Sequence, residues 1–206
     1  MLSKTTRQIM FYQLGYYDGK FDGIWGSGCK KATKEFQKDY KLKVDGIYGA
    51  KTEAKLKSVY NKKMKGLMTT EDWKEIKNFT LGEIDCSCGC GYKKIYKQEV
   101  WNFQALRHHL GCSIKPTSGC RCKKKNKSAG GTNGSRHYNY GLGTKAIDFT
   151  SSKTKTLAER KEVIDFWVTY MPNARYGYCN GYYNNKGKKG VTTSKTMGTS
   201  VHLDIK

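Results

Sequence analysis

Two histidines and one aspartate in the second half of the chain have the side chains needed to bind a catalytic zinc ion. His202 lies in VHLDI, where period-two alternation places it and Asp204 on one face of a strand. His137 lies in the glycine-rich stretch GGTNGSRHYNYG, which gives no hydrophobic reason for a histidine. Asp148 in KAIDFT is flanked by apolar residues, so we expect it to be buried and to need a charged or metal partner.

Two histidines and one carboxylate would leave the fourth position of a tetrahedral zinc site for a water molecule. Zinc brings the pKa of such a water towards about 7 and polarises a carbonyl group, which is the chemistry of amide hydrolysis. From the residues alone, the alternative is that these are three unrelated structural side chains.

The other two histidines and the cysteines are weaker candidates for a site. His108 and His109 lie on the polar edge of a helix and are expected to be surface residues. Eight cysteines are too few for a disulfide scaffold in a chain of 206 residues. The CSCGC stretch at 86–90 could bind a structural zinc with help from Cys112, Cys120 or Cys122, although one residue separates its successive cysteines where two is usual. Reduced packing or loop cysteines are the alternative.

The pattern around these residues predicts an α+β fold. Residues 97–111 place Val100, Phe103 and Leu106 on one face and stop at a glycine, which is typical of an amphipathic helix. A second helix is expected over 157–172, ending at a proline. Strands are expected in SIKPTSGCRC, ARYGYC, GYYN and VHLDIK.

A repeated phrase dominates the first half of the chain. DGIWGSGCKKA at 22–32 and DGIYGAKTEA at 45–54 each predict a tight turn that leads into a helix. A third helix, TTRQIMFYQLGYY, precedes both. The inner faces are expected to include Ile9 and Leu14, then Ala32, Phe36 and Tyr40, then Ala50, Ala54, Leu56 and Val59. A single Asp-Gly turn could be an ordinary connection between helices, but two copies with matched helices indicate a compact three-helix module.

Residues 5–58 resemble the three-helix peptidoglycan-binding domain of bacterial wall hydrolases. The resemblance is carried by QLGYYDGKFDGIWG and by FQKDYKLKVDGIYGAKT. It implies a small all-α domain that binds the wall polymer near these turns.

Residues 79–206 resemble the M15 zinc peptidases, the group of D,D-carboxypeptidases and L-alanyl–D-glutamate endopeptidases. The matching stretches are EIDCSCGCG, ALRHHLG, SGCRC, NKSAGGTNGSRH, TKAIDF and VHLD. The resemblance implies an α+β domain of the hedgehog/D,D-peptidase type, with His137, Asp148 and His202 as Zn²⁺ ligands. It further implies that Arg121 holds a peptide carboxylate or polarises the substrate carbonyl, the alternative being a surface arginine beside a turn.

The chain departs from the M15 pattern in two places. His137 and Asp148 are eleven residues apart where the family usually has seven, so this loop is longer, which fixed loop ends tolerate. The family commonly places an acid just before the last histidine, and TTSKTMGTSVH contains none. Asp204 is our provisional choice for the general base or for the residue that orients His202.

These observations predict a peptidoglycan-binding domain at 1–61, a lysine-rich linker with one short helix at 62–79 and a zinc metallopeptidase domain at 80–206. The expected function is that of an endolysin-like cell-wall hydrolase that cuts a peptide bond in the stem peptide or cross-link with a zinc-activated water. A non-catalytic wall-binding protein with a degenerate peptidase domain is the alternative, and the ligand set does not distinguish which bond is cut.

The net charge of +22 predicts attraction to polyanions, among them nucleic acid, anionic lipid and anionic wall polymers. Because the lysines are scattered along the chain, we expect peptidoglycan and anionic wall polymers as partners and not nucleic acid, and we expect a monomer. The sequence has neither an apolar run of membrane-spanning length nor a signal-peptide pattern. We therefore expect synthesis in the cytoplasm and release after a membrane is breached, as for a bacteriophage endolysin, with an exported host autolysin as the alternative.

Overall fold

The structure is a computed structural model that describes residues 1–193 and 195–206. Ser194, in the stretch before the last histidine, lies outside the described residues. The chain divides into two compact units, Met1–Lys65 and Gly66–Lys206. A helical unit followed by a sheet-containing unit is the order that the sequence predicts, whereas the hedgehog/D,D-peptidase fold name stays a prediction.

Unit 1 contains three helices, α1 (Lys4–Gln13), α2 (Ser27–Asp39) and α3 (Ala50–Lys63). Ile9, Ala32 and Phe36 are buried as predicted. The predicted face of α3 is wrong at Ala50 and Ala54, which are exposed. That helix buries Thr52, Glu53, Leu56 and Tyr60 instead, a stripe of ordinary helical spacing on which polar side chains take inner positions.

The two Asp-Gly turns are built by the same hydrogen bonds. The Gln8 amide donates to Asp22 Oδ1 at 2.9 Å and to the Ile24 carbonyl at 3.0 Å, and its oxygen accepts from the Gly23 amide at 2.9 Å. In the second copy Gln37 donates to Asp45 Oδ1 at 3.0 Å and to the Ile47 carbonyl at 3.1 Å, and it accepts from Gly46 at 2.9 Å. The repeated phrase is therefore a repeated structure, anchored each time by a buried glutamine from the preceding helix.

Unit 2 begins inside the stretch that the sequence suggests is a linker. Residues 70–75 form α4 (Thr70–Glu75), which starts with a capping box between Thr69 and Asp72. Phe79 is buried, and its ring centroid lies 4.7 Å from that of Phe103. Most of 62–79 thus belongs to the second unit.

The structure of unit 2 confirms the two longer helices and the strands that the sequence predicts, and it adds two short helices, at 81–84 and 123–128, and two strands, at 146–151 and 188–190. A left-handed Gly111 ends the helix at 97–110, and a capping box between Thr156 and Glu159 starts the helix at 157–170. In chain order the elements are α5 (Leu81–Ile84), α6 (Lys97–Leu110), β1 (Ile114–Ser118), α7 (Lys123–Ser128), β2 (Ala146–Ser151), α8 (Leu157–Tyr170), β3 (Ala174–Cys179), β4 (Tyr182–Asn185), β5 (Lys188–Gly190) and β6 (Val201–Ile205).

The six strands form one antiparallel sheet in the order β1-β2-β6-β3-β4-β5. Helices α6 and α8 pack on one face. There Phe103 contacts Phe149 with ring centroids 5.3 Å apart, and Trp167 donates to the Asp204 carbonyl at 3.1 Å. Because side chains alternate along each strand, the polar residues of β2 and β6 are directed to the opposite face.

Candidate metal centre

The strand register brings the predicted site residues into one row across the sheet. Asp148 on β2 lies opposite His202 on β6, and His202 lies opposite Tyr178 on β3. Ser118 on β1 lies opposite Asp148 on the other side. Directly opposed side chains in an antiparallel pair have Cβ atoms about 4.5–5.5 Å apart. The sheet therefore places the carboxylate and one histidine together without any help from a loop.

His137 reaches the same point from the loop that follows α7. Its Nδ1 lies 2.8 Å from the Gly119 carbonyl, and its own carbonyl accepts from the Arg121 amide at 3.0 Å and from the Thr144 hydroxyl at 2.7 Å. With Nδ1–H donated to a carbonyl, the lone pair is on Nε2, which faces the row. Such a backbone contact is the usual way in which a metal-binding histidine is oriented.

Three donor atoms converge on one point. His202 Nδ1 lies 2.7 Å from Asp148 Oδ1, and His137 Nε2 lies 3.2 Å from each of those two atoms. Ligands about 2.0–2.2 Å from a tetrahedral zinc ion are separated from one another by about 3.4 Å. The three atoms are therefore nearly at the spacing that a zinc ion requires, and a small outward movement would complete the site.

The electrostatics of these groups follow from burial and mutual contact. Burial alone would raise the pKa of Asp148, but the charges and hydrogen bonds of His137 and His202 outweigh it and hold that pKa well below the ordinary range. Burial lowers the pKa of His137. For His202 burial acts in the same direction, but hydrogen bonds to Asp148 and Asp204 prevail and raise its pKa to about 9.

Asp204 lies behind His202 and not beside the three donor atoms. His202 Nε2 is 3.4 Å from Asp204 Oδ2, and both carboxylate oxygens of Asp204 accept hydrogen bonds from the Arg175 guanidinium. Asp204 is almost fully buried. This arrangement suits the second of the two roles left open by the sequence, that of orienting His202, better than it suits a general base.

Arg121 lies at the edge of the candidate centre. Its guanidinium Nη2 is 3.1 Å from Asp148 Oδ2, the carboxylate oxygen turned away from the histidines, and its Nε donates to Ser118 Oγ at 3.0 Å. The side chain borders an open cleft of about 880 Å³ that also includes His137, Asp148 and His202. A fixed cation at this place can pair with a carboxylate or a carbonyl oxygen of a bound peptide.

Several residues of the cleft were missed by sequence reasoning. Arg175, Tyr176 and Tyr178 line it from β3, and the Tyr178 ring lies 4.7 Å from the His202 ring. The alternation in ARYGYC could have placed both tyrosines on one face, but only the register with VHLDI shows that this is the face of His202. Tyr140, which is exposed, lines the cleft from the lengthened loop between His137 and Asp148.

His108 and His109 take no part in the centre, as the sequence predicts. The described residues contain two groups that could hold a metal ion, the His137–Asp148–His202 set and a cysteine cluster, and neither includes these histidines. The His109 ring instead stacks on Phe166 at 3.5 Å between centroids.

Comparison with known families agrees with this geometry. Residues 77–172 match the family model described as "Peptidase M15", and residues 5–56 match the one described as "Putative peptidoglycan binding domain". Both resemblances are confirmed. The M15 match includes His137 and Asp148, and His202 follows it in the chain.

Individual relatives carry names of the same two kinds. A zinc D-Ala-D-Ala carboxypeptidase from Streptomyces albus G is 29% identical over 126 residues, which cover 56% of this chain and 46% of the relative. Spore cortex-lytic enzymes from Bacillus subtilis (strain 168) and Oceanobacillus iheyensis are 51% identical over 43 residues and 37% over 54 residues, covering 20% and 26% of this chain and 14% and 20% of theirs. The chain therefore spans less than half of the length of each of these relatives.

The M15 match, the zinc-dependent relative and the convergence of His137, Asp148 and His202 together support a zinc peptidase. The donor set of two imidazoles and one carboxylate fits Zn²⁺. Within the described part of the chain, every helix is too short or too polar to cross a membrane.

Proposed function

We propose that this chain is an endolysin-like cell-wall hydrolase. Unit 1 binds peptidoglycan, and unit 2 hydrolyses a peptide bond in the stem peptide or cross-link. The observation that carries the proposal is the meeting of His137 Nε2, Asp148 Oδ1 and His202 Nδ1 at one point of an open cleft. The net charge of +22 adds attraction to the anionic polymers of the wall.

In this proposal the two imidazole nitrogens and the Asp148 carboxylate are the ligands of the zinc ion. Zinc held by three protein ligands supplies a water of lowered pKa and polarises the carbonyl of the bond to be cut. The Gly119 carbonyl and the Asp204 carboxylate keep the two imidazoles turned with their free nitrogens to the centre. Arg121 positions the substrate by pairing with a carboxylate or carbonyl oxygen of the peptide.

Arg175 and Asp204 act together in this scheme. The guanidinium forms two hydrogen bonds to the carboxylate, so Asp204 is held in place while it faces His202 Nε2. We assign Asp204 as a positioning residue. It acts on the reaction through His202 and not by removing a proton from the attacking water.

A non-catalytic wall-binding protein is the second candidate, and one observation favours it. Among the described residues that line the cleft, the carboxylates are Asp148 and Asp204. Both are already engaged, the first with the histidines and Arg121 and the second with Arg175 and His202. Within the described part of the cleft there is therefore no further acid in the general-base position that the M15 pattern usually fills.

Mass spectrometry of the fragments released from purified peptidoglycan tests the proposal. We expect new stem-peptide ends from the full chain and none from His202→Ala, with both proteins sedimenting with the wall. The fragment masses would name the bond. If neither protein releases fragments while both sediment, the hydrolase proposal fails and the wall-binding alternative stands.

A further inference from the structure

Four cysteines from two separate stretches of the sequence meet in unit 2. Cys86, Cys88 and Cys90 come from the CSCGC loop, and Cys122 comes from the turn before α7. Their sulfur atoms all lie within 4.8 Å of one another. The Cys86 and Cys88 sulfurs are 3.3 Å apart, and those of Cys88 and Cys122 are 3.6 Å apart.

These distances fit a metal better than a disulfide. Four sulfurs about 2.3 Å from a tetrahedral zinc ion are separated from one another by about 3.8 Å. A disulfide would need a sulfur–sulfur distance of about 2.05 Å, and all four thiols are free. The cluster is therefore close to the shape of a four-cysteine zinc site before any metal is added.

The backbone of the loop directs its thiols to the same side. The Cys86 amide donates to the Tyr92 carbonyl at 2.9 Å and the Gly89 amide to the Cys86 carbonyl at 3.2 Å, which closes a tight loop. Gly89 and Gly91 have φ angles of 72° and 71°, in the left-handed region that glycine adopts without strain. The cysteines can then face Cys122 together.

Backbone amides also point at two of the sulfurs. The Cys122 amide donates to Cys86 Sγ and the Lys125 amide donates to Cys122 Sγ, each at 3.4 Å. Such donors stabilise thiolate over thiol, and the thiolate is the form that binds metal. Lysines at 93–94 and 123–125 flank the cluster in sequence, so their positive charge offsets the charge of −2 that zinc bound to four thiolates carries.

The other two cysteines near this region are not members of the cluster. Cys120 is buried, and its thiol donates to the Lys94 carbonyl at 3.4 Å. Cys112 lies outside both groups of described residues that could hold a metal ion. The structure thus selects Cys122 from the three cysteines that the sequence left open as partners of the CSCGC loop.

We propose that Cys86, Cys88, Cys90 and Cys122 bind a structural Zn²⁺ ion as four thiolate ligands. Four protein ligands fill the tetrahedral shell and leave no position for water, so this second zinc has no part in hydrolysis. It shares no residue with the His137–Asp148–His202 centre. The proposal is independent of the proposed function and holds equally for a non-catalytic wall-binding protein.

The role of this zinc follows from what it joins. The Cys120 amide donates to the Ile84 carbonyl at 2.7 Å, and the Arg121 amide donates to the His137 carbonyl at 3.0 Å. A metal that links the CSCGC loop to Cys122 therefore clamps the turn that carries Arg121 and supports His137. The cysteine site would stabilise the catalytic side of the domain from outside it.

Zinc content per chain is the decisive measurement, made on the full chain purified in the presence of a reductant. We expect two zinc ions in the unmodified chain and in the control Cys112→Ser. We expect one in Cys88→Ser/Cys122→Ser and one in His137→Ala/His202→Ala. After exchange with Co²⁺, thiolate-to-cobalt charge-transfer absorption should be present in the chain with the histidine substitutions and absent from the one with the cysteine substitutions.

A second measurement covers the case in which the cysteine variant does not fold. Titrating the unmodified chain with a mercurial reagent that captures thiolates should release one of its two zinc ions while the other stays bound. The proposal is overturned if the unmodified chain shows no thiolate–cobalt band, if the mercurial releases no zinc, or if the four cysteines are found as disulfides. If the unmodified chain binds a single zinc ion and still shows the thiolate–cobalt band, the histidine centre holds no zinc. That result would contradict the hydrolase proposal but not the four-cysteine site.

Discussion

At the scale of single residues, the candidate centre depends on side chains that hold other side chains. His202 has one ring nitrogen 2.7 Å from Asp148 and the other 3.4 Å from Asp204, which is itself bound by Arg175. Sequence reasoning found His202, Asp148 and Asp204 because alternation and composition mark them. It did not find Arg175, because an arginine in a strand carries no signal of its partner until the strand register is known.

Replacement of Asp204 separates its two possible roles. We expect Asp204→Asn to lower zinc affinity by about 10–100-fold, because an amide holds His202 less firmly in its metal-binding orientation. Zinc affinity is measured by competition with a chelator, together with turnover on peptidoglycan fragments. Asp165→Asn is the control, since Asp165 is also a carboxylate paired with a basic side chain, here Lys189, and lies outside the cleft. Unchanged zinc affinity with turnover at least about tenfold lower would favour the general-base role.

Glu99 on α6 gives a prediction about pH. Its complete burial, followed by the charge of Asp204, raises its pKa well above the ordinary value of 4.5. A raised pKa in the folded state means that the contribution to stability is fully present below pH 4.5 and is lost as the pH rises. We therefore expect Glu99→Gln to increase the unfolding temperature at neutral pH, with the increase vanishing towards about pH 4.

Calorimetric unfolding across that pH range measures the effect of Glu99→Gln. The control is Glu162→Gln at an exposed position of α8. An increase of the same size at acid and neutral pH would show that packing, and not the ionisation of Glu99, is responsible.

At the scale of elements, the sequence predicts the longer helices well and their buried faces less well, and it does not predict α5 or α7. Amphipathic spacing and a terminal glycine were enough for α6, and a capping box marks the start of α8. In α3 the apolar residues Ala50 and Ala54 are exposed while Thr52 and Glu53 are buried. Alanine is weak evidence of burial, because its small side chain changes the free energy of folding little whether it lies on the buried or the exposed face of a helix.

Strand register is the main feature that the sequence could not supply. The pattern identifies ARYGYC and VHLDI as strands, whereas the strand at KAIDF is not predicted, and the order β2-β6-β3 is set by long-range pairing. A shift of one residue would move Asp148 or His202 to the helix-covered face. The meeting of Cys122 with the CSCGC loop is of the same kind, since it depends on how β1 and the turn after it are placed.

Substitution of Gly119 would test how closely the turn after β1 packs against α5. A Cβ atom at this position would lie 2.3 Å from the Ile84 carbonyl oxygen, and the Gly119 carbonyl accepts from His137. We expect Gly119→Ala to lower the free energy of unfolding by about 1–3 kcal/mol and to reduce zinc retention. Chemical denaturation and zinc analysis provide the measurement. Gly82→Ala, which meets nothing within 4 Å, is the matched control, and equal behaviour of the two variants would contradict the prediction.

At the scale of the whole molecule, the proposed function gives unit 1 the binding of peptidoglycan and unit 2 the hydrolysis. If unit 1 supplies wall attachment, Gly66–Lys206 alone should no longer sediment with peptidoglycan but should still cut soluble stem peptides. Tethering raises local substrate concentration, so we expect the rate on insoluble wall at low enzyme concentration to fall on the order of 10²-fold. Equal sedimentation of the shortened and full chains would place the binding surface in unit 2.

The position of β6 in the sheet affects the order in which the two metal sites form during folding. Asp148 and His202 are 54 residues apart in sequence and His137 and His202 are 65 apart, and β6 must insert between β2 and β3 to bring them together. Pairings of such separation form slowly, because the entropy of closing long loops is lost before the contacts compensate for it. The histidine centre can therefore load its metal only after the central strand is in place. The four-cysteine cluster spans a shorter stretch and does not include β6, so in refolding experiments it should capture zinc first.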